Sequence, residues 1–381
     1  MDFELSKEQK DIKRAAREFA EGEFTQIARE CDQKEKFPVE VWKKASELGF
    51  IGAYLPEEYG GGGFGLLEHA MLMEEFWRVD PGCGCILLTA FGSKLIEKYG
   101  TPEQKRKYLP PLTKGKAIMG TAITEPDAGS DIFGIGSVAQ RRGNEYVING
   151  SKTFITSGTI SNYLAVYCLT DPERKSKAER YGIILVETDR PGVERTKITG
   201  KLGIRASDTA EVVFKDVRVP AENLIGGEGE GFRQIMWLFN FARVEASAQG
   251  VGVAQGAFEK AVKYVKKRRA FGQPIGAFQG IQWKIAEMAT MIENARHLYY
   301  KSAWLYDQGK VDRTMIAMAK WYGGEIGVRV TDEALQLHGG YGFVAEYDVE
   351  RFYRDAKIVE IYEATKEIEK NTIAREILGK L

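Results

Sequence analysis

The 381 residues carry 54 Lys and Arg against 54 Asp and Glu, so the formal net charge is zero and no basic surface supports nucleic-acid binding. Hydrophobic content of 44% is ordinary for a globular protein, and the length exceeds what one core usually spans, so two or three packed modules are expected. No apolar run approaches a membrane span, and "MDFELSKEQK" starts on a helix cap without a signal or transit segment. That predicts a cytoplasmic protein, or one whose targeting peptide is already removed. Residues 1–118 then read as helices. Ser6 with Gln9 makes a capping box ahead of Ile12, Ala16 and Phe19, and a second helix follows Pro38. A glycine loop, "PEEYGGGGFG", precedes two amphipathic runs, "GLLEHAMLMEEFWRV" and "CILLTAFGSKLIEKY". Thr101-Pro102 opens a further helix through a cap and an N1 proline.

From 119 to 228 the character changes, and the apolar period is mostly two. In "NEYVINGSKTFIT", Asn149-Gly150 lies between two β-prone runs, which predicts a hairpin there. "YLAVYCLTD", "YGIILVETD" and "TAEVVFKDVRVP" add strands separated by Pro, Gly and Asp turns. No helix alternates with them, so the expectation is an antiparallel barrel or sandwich and not a parallel nucleotide-binding sheet. "GIGSVA" resembles a dinucleotide loop, but it neither follows a buried parallel strand nor opens a helix, and is rejected.

After "GGEGEGF" long helices return over 232–267, 279–308 and 312–337, with a closing helix from Thr365 on which Ile373, Ile377 and Leu381 recur every four residues. They predict a four-helix bundle in a third module, 229–381. The fold class is thus α+β and multidomain: helical, antiparallel β-barrel, helical bundle. Cys31, Cys83, Cys85 and Cys168 are too few for a disulfide framework and read as small buried residues. His69, His297 and His338 are scattered, so no metal set or His-based triad is expected.

Three clusters could carry chemistry. "TAITEPDAGSD" is dense in turns and hydroxyls at the helical-to-β boundary. "KTFITSG" puts Phe154 and Thr156 on one strand face, where they could line a planar ring or belong to a sheet core. "RRAFGQPIGAFQ" carries adjacent arginines, suited to a diphosphate or to a solvated turn. Glu363 stands in "VEIYEATKEIEK" just before the Thr365 cap, where a carboxylate could favour the helix N-terminus or act as a base.

These clusters, the "IYEAT" stretch and the α–β–α order together resemble one family, the FAD-dependent acyl-CoA dehydrogenases. The resemblance runs along the whole chain, through "PEEYGG", "TEPDAGSD", "NGSKTFIT", "KLGIRASDT", "RRAFGQPI", "LHGGYGF" and "YRDAKIVEIYEAT". It implies a homotetramer, a dimer of dimers, with FAD between the β domain and the bundle and touched by a neighbouring subunit. Thr121, Ile123 and Thr124 would meet the flavin ring, and Ser130 would lie beside FAD and the CoA arm. Phe154 and Thr156 match contacts near the flavin. Arg268, Phe271 and Gln279 match diphosphate and adenine contacts across the subunit interface. Gln336 to Gly340, and Thr365 with Glu367, match the remaining FAD segments. Asn240, Arg243, Tyr362 and Ala364 fall on substrate-facing positions.

Glu363 then falls on the family's catalytic base, which removes the α-proton while the β-hydrogen passes as hydride to the flavin. A carboxylate in an apolar site should have a raised pKa, suited to that step. The implied activity is α,β-dehydrogenation of an acyl-CoA to the 2-enoyl-CoA, with electrons passed to electron-transfer flavoprotein. An acyl-CoA oxidase, an enoyl-CoA reductase component and a non-catalytic acyl-CoA-binding paralogue are the competing readings. Departures from the family pattern are Ala364 where glycine is common, Phe154 where Trp is frequent, and Glu367 at a glutamine-like contact. For the acyl group, Leu87, Leu88, Phe91, Trp237, Phe239 and Phe241 could wall a short tunnel or be ordinary core. No arginine in "DPGCGCILLTAFG" offers a counter-charge to a dicarboxylyl substrate.

Overall fold

The computed structural model of the protein describes residues 4–379. The N-terminal part is helical: α1 (Lys7–Glu23), α2 (Ala28–Gln33), α3 (Val39–Glu47), α4 (Leu66–Val79), α5 (Pro81–Gly84), α6 (Ser93–Tyr99) and α7 (Pro102–Thr113). The capping box expected at Ser6/Gln9 forms, and the Thr101 cap closes a further box with Gln104 that was not anticipated. The run "CILLTAFGSKLIEKY" is not one helix. It is a 3₁₀ turn over Cys85–Ala90 followed by α6, broken where Gly92 adopts φ +95°. A Cβ on Gly92 would sit 2.3 Å from Thr121 Oγ1, so tertiary contact with the β domain overrides the local periodicity.

The middle part is a seven-stranded sheet, in the order β1 (Met119–Ala122), β4 (Tyr163–Leu169), β2 (Val138–Arg142), β3 (Glu145–Thr156), β7 (Thr209–Pro220), β6 (Val193–Lys197), with β5 (Tyr181–Glu187) also paired to β4. It is an open half-barrel, antiparallel except where β4 runs parallel to β1 and touches β2. Strand β4 is apolar throughout because both faces are covered. Leu164, Val166 and Cys168 enter a core internal to the sheet, while Ala165 and Tyr167 join the core shared with the helices. The "GIGSVA" stretch leads into β2 and opens no helix.

The predicted hairpin at Asn149-Gly150 does not exist. Both residues lie inside the single strand β3, and the turn joining β2 to β3 is Gly143-Asn144. Gly150 is instead a bulge site at φ +147°, where a Cβ would fall 2.2 Å from Ser137 Oγ. The Asn149 side chain bonds the Asp216 backbone N–H at 2.9 Å on the neighbouring strand. The Asn-Gly pair, a turn signal by its local chemistry, is held within the strand by close packing, and the turn falls at the preceding Gly143-Asn144.

The C-terminal part packs α8 (Gly231–Lys267), α9 (Gln279–Asp307), α10 (Arg313–His338) and α12 (Lys366–Leu378), with a short α11 (Val349–Ala356) that periodicity did not reveal. A two-residue ladder, β8 (Arg269–Ala270) with β9 (Gln273–Pro274), joins α8 to α9. Helix α8 lies against both α10 and α4, and Ser247 Oγ donates to the Ala319 carbonyl at 2.7 Å, fixing α8 against α10. On α12, Ile377 is 68% exposed, and Leu381 lies outside the described residues. All four cysteines are free and buried.

Candidate functional site

Between α11 and α12 the chain makes a 3₁₀ turn, Lys357–Glu360, and then leaves regular structure. Glu363 and Ala364 are consecutive non-glycine residues in the left-handed region, at φ +52° and +81°. Thr365 is the N-cap of α12 with extended dihedrals, although its hydroxyl makes no capping hydrogen bond. This turn aims Glu363 into the place where α8, α10 and α12 converge. Its Oε2 is buried without a hydrogen-bond partner among the described residues. Burial first, and then the Glu245 carboxylate, push the Glu363 carboxyl up to about 7, while Lys320 and Arg243 oppose that rise. Glu245 is itself held by His69 Nε2 at 2.6 Å.

Three predicted residues, Arg243, Tyr362 and Ala364, lie on or beside this turn. Arg243 is buried, with Nε 2.9 Å from Glu369 Oε1 and 3.5 Å from the Glu363 carbonyl oxygen. Asn240 is buried one turn earlier on α8. The Tyr362 hydroxyl donates to Gln249 Oε1, and the Ala364 carbonyl accepts from Lys320 Nζ. The Glu363 N–H has no hydrogen-bond partner among the described residues, so it is available to a ligand.

A second group forms at the edge of the β domain. Lys152 Nζ donates to the Ile123 carbonyl at 2.9 Å, and the Thr153 N–H to the Thr124 carbonyl at 2.9 Å, so the segment from Thr121 to Thr124 lies along β3. Phe154 sits at a bulge with φ +58° and is 67% exposed, and Thr156 is part-exposed two residues on. Ser130 is exposed in the following loop. Beneath the segment Glu125 receives Lys152 at 2.8 Å and the N–H groups of Gly136 and Ser137, each at 2.8 Å. The Glu125–Lys152 support was not anticipated; a lysine in a strand whose neighbours are buried was the available signal.

The third group stands apart. Arg268 lies 5.6 Å from the Tyr341 ring, beside Gly340, and has no carboxylate within ion-pair distance among the described residues. Phe271 is 94% exposed at φ +51°, and Gln279 and Gln336 are exposed. No hydrogen bond, ion pair or ring contact among the described residues links these side chains to Glu363 or to Phe154. Glu367 is exposed in the first turn of α12. Of the tunnel candidates, Leu87 and Phe241 are buried core, with Phe241 stacked 5.8 Å from His69, while Leu88, Phe91, Trp237 and Phe239 are only partly buried. Among the described residues no group of three or more His, Cys, Asp or Glu side chains could hold a metal ion. No helix among them is long and apolar enough to cross a membrane.

Lys320 is the other functional candidate that sequence reasoning missed. It is fully buried on α10, in register with Ile316, Gly323, Gly324 and Gly327, and a lysine on that apolar stripe was the signal.

Three family descriptions match successive stretches: acyl-CoA dehydrogenase N-terminal domain over 6–116, middle domain over 120–217 and C-terminal domain over 229–378. The chain is 45% identical to acryloyl-CoA reductase (NADH) of Anaerotignum propionicum, across 100% of this chain and 97% of that protein. It is 42% identical to the short-chain-specific acyl-CoA dehydrogenase of Clostridium acetobutylicum, across 99% and 100%. A chain solved in a study of the electron transferring flavoprotein of Acidaminococcus fermentans superposes with a TM-score of 0.97 at 39% identity, each covered over 100%.

Proposed function

Because the chain belongs to the acyl-CoA dehydrogenase family, we propose that it dehydrogenates an acyl-CoA thioester to the 2-enoyl-CoA with Glu363 as base. The observation that carries this reading is the Glu363 turn: a carboxyl raised to about 7, with a buried oxygen and a backbone N–H on the same residue that both lack partners among the described residues. A thioester α-proton is weakly acidic, so its removal needs a base of matched pKa and a donor to the developing enolate oxygen. Glu363 Oε2 supplies the first and the Glu363 N–H the second. Tyr362, tied to Gln249, and Ala364, tied to Lys320, hold the two sides of the turn.

The residues present fit FAD. Phe154, Thr156 and the backbone from Thr121 to Thr124 offer an aromatic face and hydroxyls to a flat ring, and Arg268, without an ion pair among the described residues, suits a diphosphate. Bound there, FAD supplies the acceptor for the β-hydride. Phe271 and Phe343, at 94% and 86% exposed, fit a surface covered by another copy, as in a homotetramer that completes the Arg268 site. Electron-transfer flavoprotein in the cytoplasm is the acceptor in this reading.

A second reading, reduction of an enoyl-CoA, is favoured by the relative that is an acryloyl-CoA reductase. A group of pKa about 7 can return the proton as well as take it. Anaerobic titration separates the directions. Butyryl-CoA should bleach the flavin, and bleaching with slow reoxidation in air identifies a dehydrogenase and excludes an oxidase. A flavin that butyryl-CoA leaves oxidised, but that crotonyl-CoA rapidly reoxidises after chemical reduction, assigns the reductase direction.

A further inference from the structure

Glu363 and Ala364 hold a conformation that L residues resist. Each left-handed non-glycine residue is costly, and two in succession persist only where the surroundings over-determine them. The surroundings here include Lys320. Its side chain is fully buried, its Nζ donates to the Ala364 carbonyl, and no carboxylate lies within ion-pair distance of it among the described residues. A buried ammonium without an ion pair is itself unfavourable. Two unfavourable features meeting at one hydrogen bond point to a single device. Helix α10 is placed for it: one turn beyond Lys320, Gly324 approaches the Val359 carbonyl so closely that a Cβ would stand 3.0 Å away. The helix therefore abuts the segment both before the turn and at its end.

Resting on the assignment of Glu363 as base, we propose that Lys320 is a positioning residue, whose hydrogen bond to the Ala364 carbonyl locks the left-handed pair and presents both the carboxyl and the N–H of Glu363. Arg243 supports the preceding carbonyl more loosely, because its Nε lies nearer Glu369. Charge adds a second effect. Glu363 is faced by Glu245 and Arg243 from α8, Lys320 from α10 and Glu369 from α12; Lys320 is faced by Glu369, Glu363, Arg243 and Glu360. The Lys320 charge favours ionised Glu363, so removing it should move the base to higher pH.

The test is stopped-flow flavin reduction by butyryl-CoA across pH in the holoenzyme, with FAD content and KM followed in parallel. Lys320→Met should retain FAD and KM, slow reduction about tenfold to a hundredfold, and shift the acid limb upward. Ala364→Gly in that background should restore most of the rate, because glycine adopts the turn without a clamp, yet leave the limb shifted. Lys320→Gln, which keeps a donor and drops the charge, should shift the limb with a smaller loss of rate. It decides the matter if Lys320→Met does not fold. A Lys320→Met enzyme with wild-type rate and limb, a double variant no faster than the single one, or a Lys320→Gln enzyme with an unshifted limb would each overturn the proposal. Glu363→Gln is the control. If it reduces its flavin normally, the base assignment fails; if it is inactive while the Lys320 variants are normal, only the clamp fails.

Discussion

Replacing Glu363 by Gln should abolish turnover and also change how stability depends on pH. Unfolded, the carboxyl titrates at its ordinary 4.5; folded, burial raises it to about 7. Below pH 4.5 it is protonated in both states and costs nothing electrostatically. As pH rises from 4.5 to 7 the unfolded chain releases the proton first, so stability is lost across that window and the loss is complete above pH 7. At about 1.4 kcal/mol per pH unit the window corresponds to about 3 kcal/mol. The Gln amide also lacks partners, but that cost does not vary with pH and cancels in the comparison. For a chain of this length, about 3 kcal/mol corresponds to about 4 °C in Tm. The Tm difference between Glu363→Gln and wild type should therefore grow by about 4 °C between pH 4.5 and 7.5, measured by scanning calorimetry at matched FAD content. A difference that stays flat across that range would mean Glu363 is not a buried carboxyl of raised pKa. Flavin reduction by butyryl-CoA should fall at least about 10²–10⁴-fold in the same variant, the range of general-base catalysis.

The purified protein should be yellow, with one FAD per chain released on denaturation; flavin that stays on the precipitated chain would refute non-covalent binding. Gly92→Ala should lose about 1–3 kcal/mol and release FAD faster, because the new methyl meets Thr121 Oγ1 at 2.3 Å in a φ +95° backbone. An unchanged Tm and dissociation rate would show that the contact yields freely. In a panel of CoA thioesters, acyl groups of about four to eight carbons, linear or cyclic, should have higher kcat/KM than palmitoyl-CoA or glutaryl-CoA. Overfilling a site walled by Leu88, Phe91, Trp237 and Phe239 costs about 1–3 kcal/mol, and a best rate with either long or dicarboxylyl substrate would contradict this.

Features that depend on a few neighbouring residues could be read directly from the chain. The Ser6/Gln9 box and the Thr101 cap each close over three residues, and the long helices α8, α9 and α10 begin and end close to where periodicity put them. The ordered motifs located Glu363, and its position outside a helix was visible because Thr365 marks the next cap. What escaped was settled by groups distant in sequence. Ser137 packing on Gly150 turned an apparent hairpin into a bulged strand, and Thr121 approaching Gly92 split an apparent helix. The parallel pairing of β1 with β4 joins residues 44 positions apart, beyond any local pattern. The left-handed pair at Glu363 and Ala364 has no local signature at all, since neither residue favours that backbone and the ammonium that holds it belongs to another helix. Short-range hydrogen bonding is written in adjacent residues, whereas strain and burial exist only once remote elements close on them.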